Sequence, residues 1–483
     1  MAGEIMEKQK IITNVIWKFA ERILAQGVSL LVSIILARLL MPEDYGAIAM
    51  VTVFITVANV FVTSGIPNAL IQKKDADTLD FSSVFFFNFG VSLCIYIMLF
   101  LFAPMIASFY DVEILCPVVR VMGLRIVVAS VNSVQHAYVS RHMMFRKYFF
   151  STLFGTLCSG IVGIAMAYMG AGIWALVAQY MVNTIIDTII LFITVNWRPK
   201  WAFSFQRVKR LLAFGWRILF EGLSDTVVGQ VQNLIIGKVY TAGDLACYTK
   251  GQQFPAVIVS NSVSSIGAVL FPAMSNVQDQ KEYVLQMLKK SVRMASYIIY
   301  PVLTGLAVVA PSFVHVVLTD KWAGAIPFLQ AFCLLNAPSV AMIPRHQALN
   351  ALGRSDVFMY EHMVARVVSV VLLMFTYRIS VWAILCGSFA STAILMAIIA
   401  FTSKRYVGYS YLDQIKDIIP TLIGCAVMGI PVYFLQFLNL PHFPMLIVQV
   451  VTGMTIYILY SVIFKVPEFH TCLSMIKRMI RKK

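Results

Sequence analysis

The chain has 483 residues, 60% of them hydrophobic and only 12% charged, with a formal charge of +16 at pH 7 and a mean hydropathy of +0.82. Soluble domains carry about 25% charged residues, so the composition excludes a soluble enzyme or nucleic-acid binder and points to an integral membrane protein. The eight cysteines lie mostly inside apolar runs with no CxxC pair, which implies neither a disulfide framework nor a metal site.

In chain order, Met1 to Lys10 is charged and has no small-residue cleavage site before the first apolar run. That run reads as a retained helix. Runs of ~20 apolar residues are long enough to cross a bilayer. About fourteen occur, at 15–40, 45–71, 82–108, 115–138, 148–169, 173–196, 211–239, 246–273, 294–317, 326–350, 357–377, 380–402, 417–438 and 444–466. The expected fold is therefore an all-α polytopic membrane protein. Links such as Gly170-Ala-Gly172 and Tyr377-Arg-Ile-Ser380 read as tight hairpins, and none is long enough for a soluble domain. Segment 276–293 and the C-terminus look amphipathic, as helices lying on anionic lipid would.

Loop charge alternates. Lys8, Lys10, Lys73, Lys74, Arg141, Arg146, Lys147, Arg198, Lys200, Arg207, Lys209 and Arg210 lie on one side. The same side continues with Lys281, Lys289, Lys290, Arg293, Arg354, Lys404, Arg405, Lys416 and the basic tail to Lys483. The other side holds Glu43, Asp44, Asp111, Glu113, Asp244 and Asp320, with Lys238, Lys321 and Arg378 as its few cations. The positive-inside rule then puts both termini in the cytoplasm.

The sequence uses one stretch twice. Phe19, Arg22, Ile23, Leu24, Gly27 and Ser29 match Phe214, Arg217, Ile218, Leu219, Gly222 and Ser224 in register, and Asp44-Tyr-Gly46 answers Asp244-Leu-Ala246. Internal symmetry of this kind is the mark of transporters built from two halves. It divides the chain into an N-lobe (1–196), a linker (197–210), a C-lobe (211–402) and a C-terminal part with two more helices and a basic tail (403–483).

Polar residues inside the apolar runs are the candidate site. Lys18, Arg22, Gln26, Ser29 and Ser33 step by three or four along the first helix. Arg217, Glu221, Ser224 and Asp225, extended by Gln232, do the same in the seventh. A charge facing lipid costs ~2.5–3.5 kcal/mol, so the two stripes are expected to line a wet cleft between the lobes. The bland alternative is an ion pair such as Arg217 with Glu221. Arg345 with His346, and His362 with Arg366, lie near the inner ends of the tenth and eleventh helices; Arg125 lies in the outer half of the fourth. Guanidinium groups grip phosphate bidentately, so Arg22, Arg217, Arg345, Arg366 and Arg125, with Gln26 and Glu221, form the expected substrate-binding set. Glu221, Asp225 and Asp187 are the ion-coupling candidates. No phosphate-binding GxxxxGK[ST] loop, HExxH pair or nucleophile with its base occurs, so neither catalysis nor a cofactor is expected.

Three stretches carry a family resemblance: Ala37-Arg-Leu-Leu-Met-Pro-Glu-Asp-Tyr-Gly46, Gly65-Ile-Pro-Asn-Ala-Leu-Ile-Gln72 and Arg141-His-Met-Met-Phe-Arg-Lys147. Here the sequence resembles the polysaccharide transport family of the MOP flippase superfamily, in its colanic-acid and teichuronic-acid exporter branch. Leu270-Phe-Pro-Ala-Met-Ser275 also fits. The resemblance implies two pseudo-symmetric six-helix, MATE-like lobes plus two C-terminal helices. It implies a flippase of the bacterial inner membrane that moves an undecaprenyl-pyrophosphate-linked oligosaccharide across the bilayer for capsule, O-antigen or exopolysaccharide. The implied partners are that lipid-linked oligosaccharide, membrane lipid, and a polysaccharide polymerase with its export machinery, with no nucleic acid. Arg22 is the residue carried over from the family, and Arg217 is added by the internal repeat. The rivals are a drug/cation antiporter, which favours acidic cavities, and a membrane polysaccharide polymerase, which needs a large outward loop.

Overall fold

A computed structural model describes residues 24–73, 75–438 and 440–481. Lys18 and Arg22 fall outside them. In the first unit, Met1–Ala246, α1 (Leu24–Leu39) is followed by α2 (Pro42–Thr63), α3 (Ile66–Gln72), α4 (Thr78–Tyr110), α5 (Leu115–Arg141), α6 (Phe145–Tyr168), α7 (Ile173–Thr194) and α8 (Phe205–Val239). The second unit, Cys247–Lys483, holds most of α9 (Ala242–Ser275), then α10 (Lys281–Val308), α11 (Ala310–Val317), α12 (Ile326–Ala351) and α13 (Ser355–Thr376). It continues with α14 (Val381–Val407), α15 (Tyr411–Phe434), α16 (His442–Ile463) and α17 (Pro467–Arg481). No strand occurs among the described residues.

Among the described residues, eleven segments are long and apolar enough to cross a membrane, so this is a multi-pass membrane protein. α1, α8 and α9 fill the remaining expected positions. α8 is the less apolar of these because Arg217, Glu221, Asp225 and Lys238 interrupt it. Two boundaries differ from the sequence expectation. The run at 45–71 breaks into α2 and α3 at Ser64-Gly65, where Gly65 takes φ +77° and Pro67 restarts the helix. The amphipathic segment 276–293 is no separate surface helix. α10 runs unbroken from Lys281, and the stripe Val284, Leu288 and Val292 continues into Ile299 and Leu303, all buried in the core of the second unit.

The repeat is visible in its turns. At the first copy Met41 N donates to Asp44 Oδ2 at 3.2 Å; at the second, Thr241 N donates to Asp244 Oδ2 at 3.2 Å. Each aspartate satisfies an amide at the start of its helix. These helix starts lie close together: a Cβ on Gly46 would sit 1.8 Å from the Ala242 carbonyl oxygen. Only glycine permits that approach.

Segment 197–210 is pinned rather than loose. Trp197 packs against Phe81, Phe85 and Tyr138. Lys200 N donates to Ser82 Oγ and Ser204 N to Ser83 Oγ, each at 3.0 Å. The aromatic run Phe85-Phe-Phe87 therefore serves partly as a dock for the linker, with Phe86 stacked on Trp201.

Candidate substrate stripe and buried ion pairs

α8 begins at Phe205, six residues before the start expected from hydropathy, and this extends its polar stripe. At 3.6 residues per turn, Arg207, Arg210, Phe214, Arg217, Glu221 and Asp225 fall within an arc of roughly 80°. Arg210, Arg217, Glu221 and Asp225 are exposed. The alternative of an Arg217–Glu221 ion pair is not formed among the described residues; Arg217 lies 5.9 Å from its neighbour's ring, that of Trp216. Further along, a Cβ on Gly229 would meet nothing within 4 Å.

At its N-terminal end the stripe opens into a cavity of about 520 Å³ lined by Gln72, Lys73, Asp75, Asp77, Arg207, Arg210 and Phe214. Its wall is held by charge. Asp80, fully buried, accepts from Lys73 at 2.5 Å, and Arg207 reaches Asp77 at 2.6 Å and Asp80 at 3.3 Å. Asp77 and Asp80 also form a reciprocal capping box at the start of α4. The Asp80 amide, with Arg207, holds the Asp77 carboxyl below the usual carboxylate range. Arg210 was read from sequence as a loop cation. The helical spacing 207, 210, 214, 217 was the signal that it belongs to the stripe.

The other site residues sit elsewhere. Gln26 on α1 is half-buried, and its Oε1 has no hydrogen-bond partner among the described residues. Arg125 on α5 donates through Nε to Thr184 Oγ1 at 2.9 Å and lies 5.3 Å from the Tyr180 ring, both on α7. Asp187 on α7 accepts from Asn132 Nδ2 at 2.5 Å and lies 3.2 Å from His136 Nε2, both on α5. Tyr148 covers the His136 ring at 4.7 Å, and a cavity of about 280 Å³ runs along His136, Ser133, Ser140 and Asn68. Asp187, an ion-coupling candidate in the sequence, is thus paired within the first unit.

In the second unit Arg345 is 2% exposed. Its two terminal nitrogens donate to Glu361, at 2.8 and 2.6 Å, and one also reaches Thr402 Oγ1 at 2.8 Å. Thr402 in turn donates to Glu361. The guanidinium fork is therefore occupied by protein, with only Nε left without a partner among the described residues. Glu361 was not singled out in the sequence, although a signal existed. Arg345 lies six residues before the end of α12 and Glu361 six after the start of α13, so the hairpin places them at one depth. His346 and His362 flank Phe358, with ring separations of 4.1 and 4.2 Å. Arg366 is half-buried on the same helix as Glu361 and His362.

The profile of a family described as polysaccharide biosynthesis protein matches residues 35–327, more than half of the chain. The chain belongs to this family. Among its relatives, the succinoglycan biosynthesis transport protein ExoT of Rhizobium meliloti is 25% identical over 480 residues, 97% of this chain and 94% of that protein. The lipopolysaccharide biosynthesis protein WzxC of Escherichia coli is 25% identical, over 72% of each chain. The teichuronic acid biosynthesis protein TuaB of Bacillus subtilis is 24% identical, over 80% of this chain and 81% of its own. In fold, the chain resembles the lipid II flippase MurJ in an inward closed conformation, with a TM-score of 0.74 at 15% identity over 94% of this chain and 98% of that one. It also resembles an inward-facing multidrug resistance MATE transporter of the MOP superfamily, with a TM-score of 0.57 at 14% identity over 78% and 96% of the two chains. The all-α, MOP-type fold expected from the sequence is the fold observed.

Proposed function

We propose that this family member is a transporter, not an enzyme, and flips an undecaprenyl-pyrophosphate-linked oligosaccharide across the bacterial inner membrane by alternating access of the lobes 1–196 and 211–402. The reading is supported by the family, by relatives named for the biosynthesis or transport of surface polysaccharides, and by a fold shared with a lipid flippase. The observation that carries it is the α8 stripe: Arg210, Arg217, Glu221 and Asp225 exposed on one face of a long helix.

In this reading the basic loops face the cytoplasm. Arg210, beside the 520 Å³ cavity, draws the anionic headgroup in, and Arg217 grips it bidentately. Arg22, its partner in the repeat, supplies the second guanidinium, with Gln26 four residues on in the sequence. Glu221 and Asp225 balance Arg217 when the site is empty and take up a proton or cation during the cycle. Arg125 and Asp187 in the first unit, and Arg345 in the second, hold helices in place.

The test is export in a deletion strain complemented with Glu221→Gln or Asp225→Asn. Loss of dependence on ion gradients at normal abundance supports the coupling role. Unchanged transport and unchanged dependence contradict it. The topology is tested with Lys73→Cys, Lys147→Cys and Asp111→Cys in an otherwise functional background. The first two resist an impermeant thiol reagent on intact cells while the third reacts; labelling of the Lys147 position from outside reverses the orientation.

A further inference from the structure

One cluster of metal-ligating side chains lies outside everything described above. His315 is in the last turn of α11, Asp320 opens the short 3-10 turn that follows, and His442 is the first residue of α16. One ligand atom from each lies within 4.8 Å of the others. His315 Nδ1 is 2.5 Å from Asp320 Oδ1, and the two imidazoles stack at 4.3 Å with 14° between planes.

We propose that His315, Asp320 and His442 form a binding site for a divalent transition metal, with Zn²⁺ as the best match. Two imidazoles and one carboxylate suit this borderline-soft ion, whereas Mg²⁺ and Ca²⁺ prefer oxygen donors. Zn²⁺ bonds of ~2.0–2.2 Å in a tetrahedron place ligand atoms roughly 3.3 Å apart, which falls within the observed spread. Binding turns the two stacked rings out of parallel so that one nitrogen of each points at the ion; Asp320 and His442 are exposed, so the turn disturbs no core packing, and water completes the coordination.

The ligands come from segments far apart in sequence, which gives the metal a structural consequence. α16 packs on α11, and an ion held by all three residues fastens the α15–α16 hairpin to the end of α11. In chain order this is the end of the second unit opposite the loops with Lys281, Arg354 and Lys404. The metal is therefore drawn from the side opposite the basic loops and acts as a clip on the C-terminal hairpin.

The experiment uses the full-length protein in detergent with its affinity tag removed. Zn²⁺ binding is measured by competition with a chromophoric chelator, and Co²⁺ is added as a spectroscopic probe. The expected result is one Zn²⁺ per chain with micromolar affinity, visible Co²⁺ bands of a four-coordinate site, and a higher unfolding temperature with Zn²⁺ but not Mg²⁺. His442→Ala, at an exposed position, and Asp320→Asn each weaken binding at least tenfold and abolish the thermal shift. Absence of binding, or binding that both variants leave unchanged, overturns the site. Because nothing here passes through the substrate stripe, the result stands apart from the transport reading.

Discussion

Arg217 and Arg345 are both arginines inside long apolar runs of the sequence, and sequence alone gives them the same meaning. Arg217 stands on an exposed stripe with no ion pair among the described residues. Arg345, 2% exposed, has its fork filled by Glu361 and Thr402. A guanidinium whose donors are already spent on protein carboxylate has little to offer a ligand, whereas an exposed one keeps its donors available. Burial and partner, not the mere presence of charge in a helix, separate a fastening from a grip. The difference also predicts opposite responses to mutation: the buried pair governs folding, the exposed stripe governs transport.

The largest effect on stability is expected at Glu361. Glu361→Ala leaves Arg345 buried and unpaired, which costs about 3–5 kcal/mol and lowers both abundance and the unfolding temperature in detergent. The double substitution Arg345→Met, Glu361→Met recovers most of that loss, since replacing both partners with apolar groups is often near neutral. Equal destabilisation by the single and double variants would break the contrast. Next comes Asp187. Asp187→Ala strands the Asn132 amide and the His136 ring, at about 1–3 kcal/mol for each buried group left unsatisfied. Asp187→Asn, which keeps an acceptor, loses less; thermal unfolding of the two variants ranks them. A smaller effect belongs to Asp77. Its carboxyl is held below the usual range, so its contribution is complete above the ordinary carboxylate pKa and fades as pH falls through the lowered value. Asp77→Asn therefore loses a small part of its stability at neutral pH and none in strong acid, read from unfolding temperature against pH. The smallest stability effect, near zero, is expected for Arg217→Ala.

The membrane fold was legible because bilayer-spanning helices need long apolar runs, and these are a one-dimensional signal. The repeat was legible too, down to Asp44 and Asp244 performing the same cap. The start of α8 was missed because Arg207, Lys209 and Arg210 depress hydropathy without breaking a helix. The pairing of Arg345 with Glu361 was missed because hydropathy treats each charge alone, although their equal distances from the α12–α13 turn carried the information. The Asn132–His136–Asp187 cluster joins α5 to α7 across an intervening helix, and no local spacing reports such a contact. His442 meets His315 and Asp320 only through the packing of α16 on α11.

The most direct test of the α8 stripe as the substrate grip is polysaccharide export from a deletion strain carrying Arg217→Ala, Arg217→Lys or the Arg22→Ala, Arg217→Ala double variant. Protein level is followed by blot. Loss of one charged hydrogen-bond partner should weaken headgroup binding by roughly 1.5–3 kcal/mol, on the order of ten- to a hundredfold. The account predicts normal abundance for all three, little export with alanine, partial export with lysine, which keeps the charge but not the fork, and least with the double variant. Full export by the double variant at normal abundance would contradict it.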